Sequence, residues 1–175
     1  MTSYIALLRG VNVGGHRKLP MAELKAKLTE LGHRNVRTLL ASGNVVVDAD
    51  QTTCAALEKK LEADLHAAFG LSTEVFVRDP AEWDAIVAAN PFPQEAKACP
   101  SHTLVMAFKE TPSTSARAFI KAWTGPELVH IADREAFLFF GAGQADSKLN
   151  LTKLGVGTAR NWNTVLKLQA MLSSG

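Results

Sequence analysis

Val36-Arg37-Thr38-Leu39-Leu40-Ala41-Ser42-Gly43-Asn44-Val45-Val46-Val47-Asp48-Ala49 is the stretch on which the fold turns. Two short runs, Val36 to Leu40 and Val45 to Ala49, flank Ser42-Gly43-Asn44, the pattern of two strands joined by a turn. A helical pattern stands on either side. Upstream, Met21, Leu24, Leu28 and Leu31 recur at three- and four-residue steps; Pro20 suits a first helical position and Gly32 an exit. Downstream, Leu57, Leu61, Leu65 and Phe69 form one stripe over Thr53 to Phe69. Ser3 to Leu8 and Thr73 to Val77 read as the strands that open and close this series. The order strand-helix-strand-strand-helix-strand predicts an α+β protein whose first half is a ferredoxin-like split βαβ.

The second half partly echoes the first. Asp79-Pro80-Ala81-Glu82 has the form of a capped helix start, with Asp79 as cap and Glu82 reaching back. Residues 91–101 contain three prolines and read as a connection. Beyond it come a strand at Thr103 to Phe108, a helix at Ser115 to Trp123 and a hairpin from Leu128 to Phe140 turning at Asp133-Arg134. A glycine-broken stretch and a helix from Asn163 to Leu172 follow. The expected organisation is therefore a unit over 1–90, a connection over 91–101 and a second αβ unit over 102–175. No residue-level repeat is visible between the halves.

Three polar stretches stand out against this frame: Arg9-Gly10-Val11-Asn12-Val13-Gly14-Gly15, Ser42-Gly43-Asn44 and Thr158-Ala159-Arg160-Asn161-Trp162-Asn163-Thr164. None contains a carboxylate, and their Gly, Asn, Ser and Arg residues expose backbone N–H groups or donate from side chains. A right-handed crossover runs the first two strands parallel. The end of the first strand, the start of the first helix and the hairpin turn then fall at one sheet edge, so Arg9 to Lys18 should meet Ser42 to Asn44. Such a loop suits phosphate or carboxylate. The candidate ligand-binding residues are Arg9, Gly10, Asn12, Gly14, Gly15, Lys18, Ser42, Gly43, Asn44, Arg160, Asn161, Trp162 and Asn163. Gly10 and Gly15 have the spacing of a phosphate loop, but His16 and Arg17 occupy the places of its lysine and hydroxyl.

In these same motifs the chain resembles the bacterial domain-of-unknown-function family 1697, where an R-G-x-N-V-G-G segment, an S-G-N turn and an R-N-W-N-T segment occur in this order. The resemblance covers essentially the full length. It implies one complete unit and, since that family has no established activity, little about chemistry.

Composition narrows the function classes. The chain has 175 residues, 47% of them hydrophobic, enough for a core. The apolar run Tyr4 to Leu8 is far too short for a membrane span or signal core, which reads as a cytoplasmic protein with no membrane partner. Net charge is +2, but residues 9–37 hold seven Lys/Arg against two acids, whereas residues 38–100 hold four against ten. Cys54 and Cys99 form no C-x-x-C pair, and His16, His33, His66, His102 and His130 show no metal-ligand spacing, so no metal or cofactor is called for. Cys54 falls in a first helical turn, where a thiol pKa can drop, but it also suits a small apolar filler.

Three functional readings stay open. The first is a binding protein for a phosphate-bearing or other anionic ligand, nucleotide or nucleic acid, held at the Arg9 to Lys18 loop. The second is an enzyme on a small phosphorylated or acidic substrate, with His16 as acid-base group. The third is a structural or interaction protein in which the asparagines only cap and turn. The chain leaves oligomeric state open.

Overall fold

In the computed structural model, which describes residues 1–15 and 18–174, the chain divides into two compact units, Met1–Asp84 with Leu168–Gly175, and Ala85–Lys167. The first unit runs β1 (Thr2–Leu8), α1 (Met21–Glu30), β2 (Arg34–Leu39), β3 (Asn44–Ala49), α2 (Cys54–Phe69) and β4 (Val75–Arg78). Its strands lie in the order β2-β3-β1-β4, every neighbour antiparallel, which is the ferredoxin-like order. Leu24 and Leu28 of α1 and Leu57, Leu61 and Leu65 of α2 pack on one face of this sheet, against Tyr4, Ala6, Leu8, Val45, Val47, Val75 and Val77. Ile5, Leu7, Val46 and Phe76, which point to the other face, are buried as well. Burial on both faces explains why these strands read as unbroken apolar runs rather than alternating ones.

An edge strand exposes a row of unpaired amides, and β4 is one of the two edges here. Two carboxylates one turn apart on α2 cover it. Glu58 accepts from the Val77 N–H at 2.9 Å and Glu62 from the Val75 N–H at 2.8 Å. The match is geometric, because a helical turn of 5.4 Å is close to the spacing of two residues along a strand. Glu58 is buried and so cannot exchange this partner for water.

The second unit, which takes in the last residues of α3 (Pro80–Ala88), continues with α4 (Pro93–Ala98), β5 (Thr103–Phe108), α5 (Thr114–Lys121), β6 (Leu128–Ile131), β7 (Glu135–Phe139), β8 (Gly157–Asn161) and the start of α6 (Trp162–Leu172). Its strand order, β6-β7-β5-β8, repeats that of the first sheet with β5 in the place of β1. The registers repeat too. Ile5 of β1 faces Val46 and Arg78, and Val105 of β5 faces Phe137 and Arg160. A 3₁₀ turn at Leu151–Leu154 stands where the first unit has its second helix.

Residues 157–161 form a strand that the sequence pattern did not announce, and the Asn163 to Leu172 helix starts one residue early. Gly157 is required there: a Cβ would lie 2.6 Å from the Ala107 carbonyl oxygen. The Pro-containing 91–101 stretch holds the short helix α4 rather than open chain.

Two predictions follow from these contacts. Glu58→Ala should cost roughly 1–3 kcal/mol in urea unfolding, by leaving a buried amide unpaired, and Glu58→Gln, which keeps an acceptor, should recover much of it. The second concerns acid. Burial alone would raise the Asp64 carboxyl, but hydrogen bonds from Lys60 and His33, with their charges, outweigh it and hold Asp64 below its ordinary value. A depressed carboxylate stabilises at neutral pH and loses that contribution as pH falls through its folded pKa. Asp64→Asn should therefore flatten the acid limb of a stability-against-pH curve, by on the order of 1 kcal/mol.

Candidate functional site

The end of β1 and the β2–β3 turn meet, as the topology requires. The Leu8 N–H donates to the Gly43 carbonyl at 2.8 Å, and Leu7 stands opposite Asn44 in the sheet. Gly43 has a φ of +84°, and a Cβ there would lie 2.5 Å from Val11 Cγ2 and 2.9 Å from Leu8 Cβ. Only glycine fits, both for its backbone angle and for this close approach.

Asn12 ties the loop together. Its Nδ2 donates to the Leu19 carbonyl at 2.8 Å and to the Ala41 carbonyl at 2.6 Å, and its Oδ1 accepts from the Leu19 N–H at 2.6 Å. Asn44 is fully buried, and its Nδ2 donates to the Leu39 carbonyl and to Ser42 Oγ. These two amides hold loop and hairpin in place, each Nδ2 donating to two acceptors within the fold.

The groups the loop presents to solvent are different ones. Val13, Gly14, Gly15 and Lys18 are exposed. Arg9 is half-exposed and pairs with Glu74 at 3.2 Å, a counter-ion the sequence reading did not single out. Between loop and helix lies a recess of about 400 Å³ lined by Asn12, Gly15, Lys18, Leu19, Pro20, Met21 and Ala41. Helix α1 opens onto it with Pro20 at the N-cap and no side-chain cap bond. His16 and Arg17 lie outside the described residues.

The late motif belongs to the second unit. Arg160 is buried on β8, where Nη1 donates to Thr158 Oγ1 at 2.7 Å and to the Ala159 carbonyl at 2.8 Å. Burial pulls its guanidinium down to about 10, still cationic at neutral pH. Asn161 caps α6 by accepting from the Thr164 N–H at 3.0 Å. The matching junction in the first half is Arg78-Asp79, where Asp79 accepts from the Glu82 N–H at 2.8 Å and Glu82 accepts back from the Asp79 N–H at 3.0 Å. Trp162 is 9% exposed and Asn163 is exposed.

Among the described residues, Cys54, Asp79 and Glu82 bring possible metal-ligand atoms within 4.8 Å of one another. Both carboxylates already serve the α3 capping box. Burial, followed by the hydrogen bond to Glu82, pushes the Cys54 thiol up to about 12, so it is a neutral donor to Glu82 at 3.2 Å and not an activated nucleophile. No helix among the described residues is long and apolar enough to cross a membrane.

The model of a family described as "Protein of unknown function (DUF1697)" matches residues 1–137. The chain belongs to this family. The matched span holds the first two polar motifs, and the Arg160 motif lies beyond it. A solved structure titled as that of conserved bacterial protein SP0830 from Streptococcus pneumoniae is similar over 98% of both chains, with a TM-score of 0.77 and 22% identity. At that identity the likeness establishes a shared fold. A search of curated proteins gave no match.

Sequence reasoning found the loop but not the walls of its recess. Met21 reads as one of the apolar positions of the first helix, and Leu19 and Ala41 carry no chemical signal at all. The seat of Gly43 gives the next prediction. Gly43→Ala should lose roughly 2–3 kcal/mol of stability from backbone strain and overpacking. Gly14→Ala, at a φ of +59° but with no atom within 4 Å of its Cβ, should lose only the roughly 1–2 kcal/mol of its backbone angle. Urea unfolding compares the two.

Proposed function

We propose that the recess beside the Arg9 to Lys18 loop binds a small phosphate-bearing ligand, and that a nucleotide suits it best. The observation that carries this reading is the start of α1. Thr53, Asp79, Ser113 and Asn161 cap α2, α3, α5 and α6 with side-chain oxygens. Pro20 supplies no such oxygen to α1, as Phe92 supplies none to α4, so among the described residues no side-chain cap serves the first-turn amides of α1, and in α1 this end lies beside the recess and Lys18.

Electrostatics sets the balance of contributions. A helix N-terminus is worth roughly 0.3–1 kcal/mol to an exposed anion, and Glu23 already places one negative charge in that turn. Exposed Lys18, with Arg9 at the near end of the loop, must supply most of the attraction. The walls Leu19, Pro20, Met21 and Ala41 are apolar, which favours a ligand with a ring attached to its charged group.

The structural reading has an observation of its own, because Asn12, Asn44 and Asn161 all engage partners within the fold. One titration separates the two. AMP, ATP and inorganic phosphate are titrated by calorimetry and thermal shift into wild type, Lys18→Ala and Arg9→Ala. Losing a charge-assisted hydrogen bond of roughly 1.5 kcal/mol or more should weaken AMP at least about tenfold in Lys18→Ala. Equal affinities across the three proteins, or no binding by any of them, would leave the loop a structural corner. A steep fall of oligonucleotide affinity with salt would shift the ligand from nucleotide to polynucleotide.

A further inference from the structure

Helix α6 carries two apolar stripes where its core contacts need one. Val165 and Leu168 are fully buried. Trp162 and Leu166, four residues apart and so on one helix face, line a different surface, a recess of about 470 Å³ within the second unit. Trp162 is nine-tenths buried, but Leu166 is 43% exposed. Ala96 and Lys97 of α4, with Asn90 and Asn163, complete the parts that matter here.

We infer that this recess is a binding site for a small planar anion, an aromatic ring bearing one carboxylate or phosphate. Three features select that class. The lining includes Trp162 beside short aliphatic side chains such as Val87, Ala88 and Ala96, an apolar surface that suits a flat ring. Among the described residues, Lys97, which is exposed, is the only charged one lining the recess, and none of them is a carboxylate that would compete with a ligand's own. Asn90 and Asn163 are amides able to hydrogen-bond a polar ring edge or the anion's oxygens. An apolar cavity of this size with a few convergent polar groups is the usual form of a small-molecule site. The inference is independent of the loop recess, since it uses none of its residues.

The test uses the full chain and two defined probes, 4-fluorobenzoate and its neutral counterpart 4-fluorobenzyl alcohol, followed by fluorine NMR. Amide cross-peaks of Lys97, Asn163 and Leu166 report where each probe sits. The expected result is binding of 4-fluorobenzoate with those cross-peaks moving, at least about fivefold weaker binding of the alcohol, and about tenfold weakening of the carboxylate in Lys97→Met. Leu166→Glu, a change at an exposed position, should abolish carboxylate binding by placing a like charge at the mouth. The inference is overturned if the carboxylate fails to bind at millimolar concentration or moves cross-peaks elsewhere. It is overturned equally if the alcohol binds as well as the anion, or if both variants bind like wild type.

Discussion

The close approach of the hairpin turn to the end of β1 is the constraint from which the loop architecture of the first unit follows. With no side chain at Gly43, the backbone of the turn can rest on Leu8 and Val11, and the Leu8 N–H reaches the Gly43 carbonyl. That contact places Ala41 within reach of Asn12, which in turn fixes Leu19 and so the direction in which α1 begins. The recess is a by-product of this chain of contacts. Its walls are the residues that the asparagine has drawn together.

This changes how the polar motifs are understood. Residues suited to gripping an anion are also suited to making corners, because both tasks need donors and permissive backbone. In this fold the two tasks fall to different members of one motif. Asn12, Asn44 and Gly43 build the corner, whereas Lys18, Arg9 and the uncapped first turn of α1 face solvent. The same division holds late in the chain, where Asn161 closes a helix end and Trp162 lines a cavity.

Much of the fold could be read from the chain because its signals were local. The leucine stripes of α1 and α2, the hairpin around Ser42-Gly43-Asn44 and the reciprocal cap of Asp79 and Glu82 each depend on residues a few positions apart. What escaped reading was long-range. Strand β8, Gly-Thr-Ala-Arg-Asn, has no apolar alternation and owes its place to pairing with β5. Arg160 hid its burial behind its charge. The echo between the two halves is a matter of register, Ile5 against Arg78 and Val105 against Arg160, and register survives when side chains no longer resemble one another. Of the site, the cationic loop was legible, but its apolar walls and the Glu74 counter-ion depend on tertiary placement.

The neutral thiol at the start of α2 bears on how the molecule can be handled. With the Cys54 thiol pushed up to about 12 by burial and Glu82, very little of it is thiolate near pH 7, and alkylating reagents and peroxide attack that form. Cys99 is thus the position where a maleimide dye or nitroxide would attach in an otherwise unmodified chain. It lies directly after α4, two residues from Lys97, so a reporter there would sit next to the second recess without any engineered cysteine.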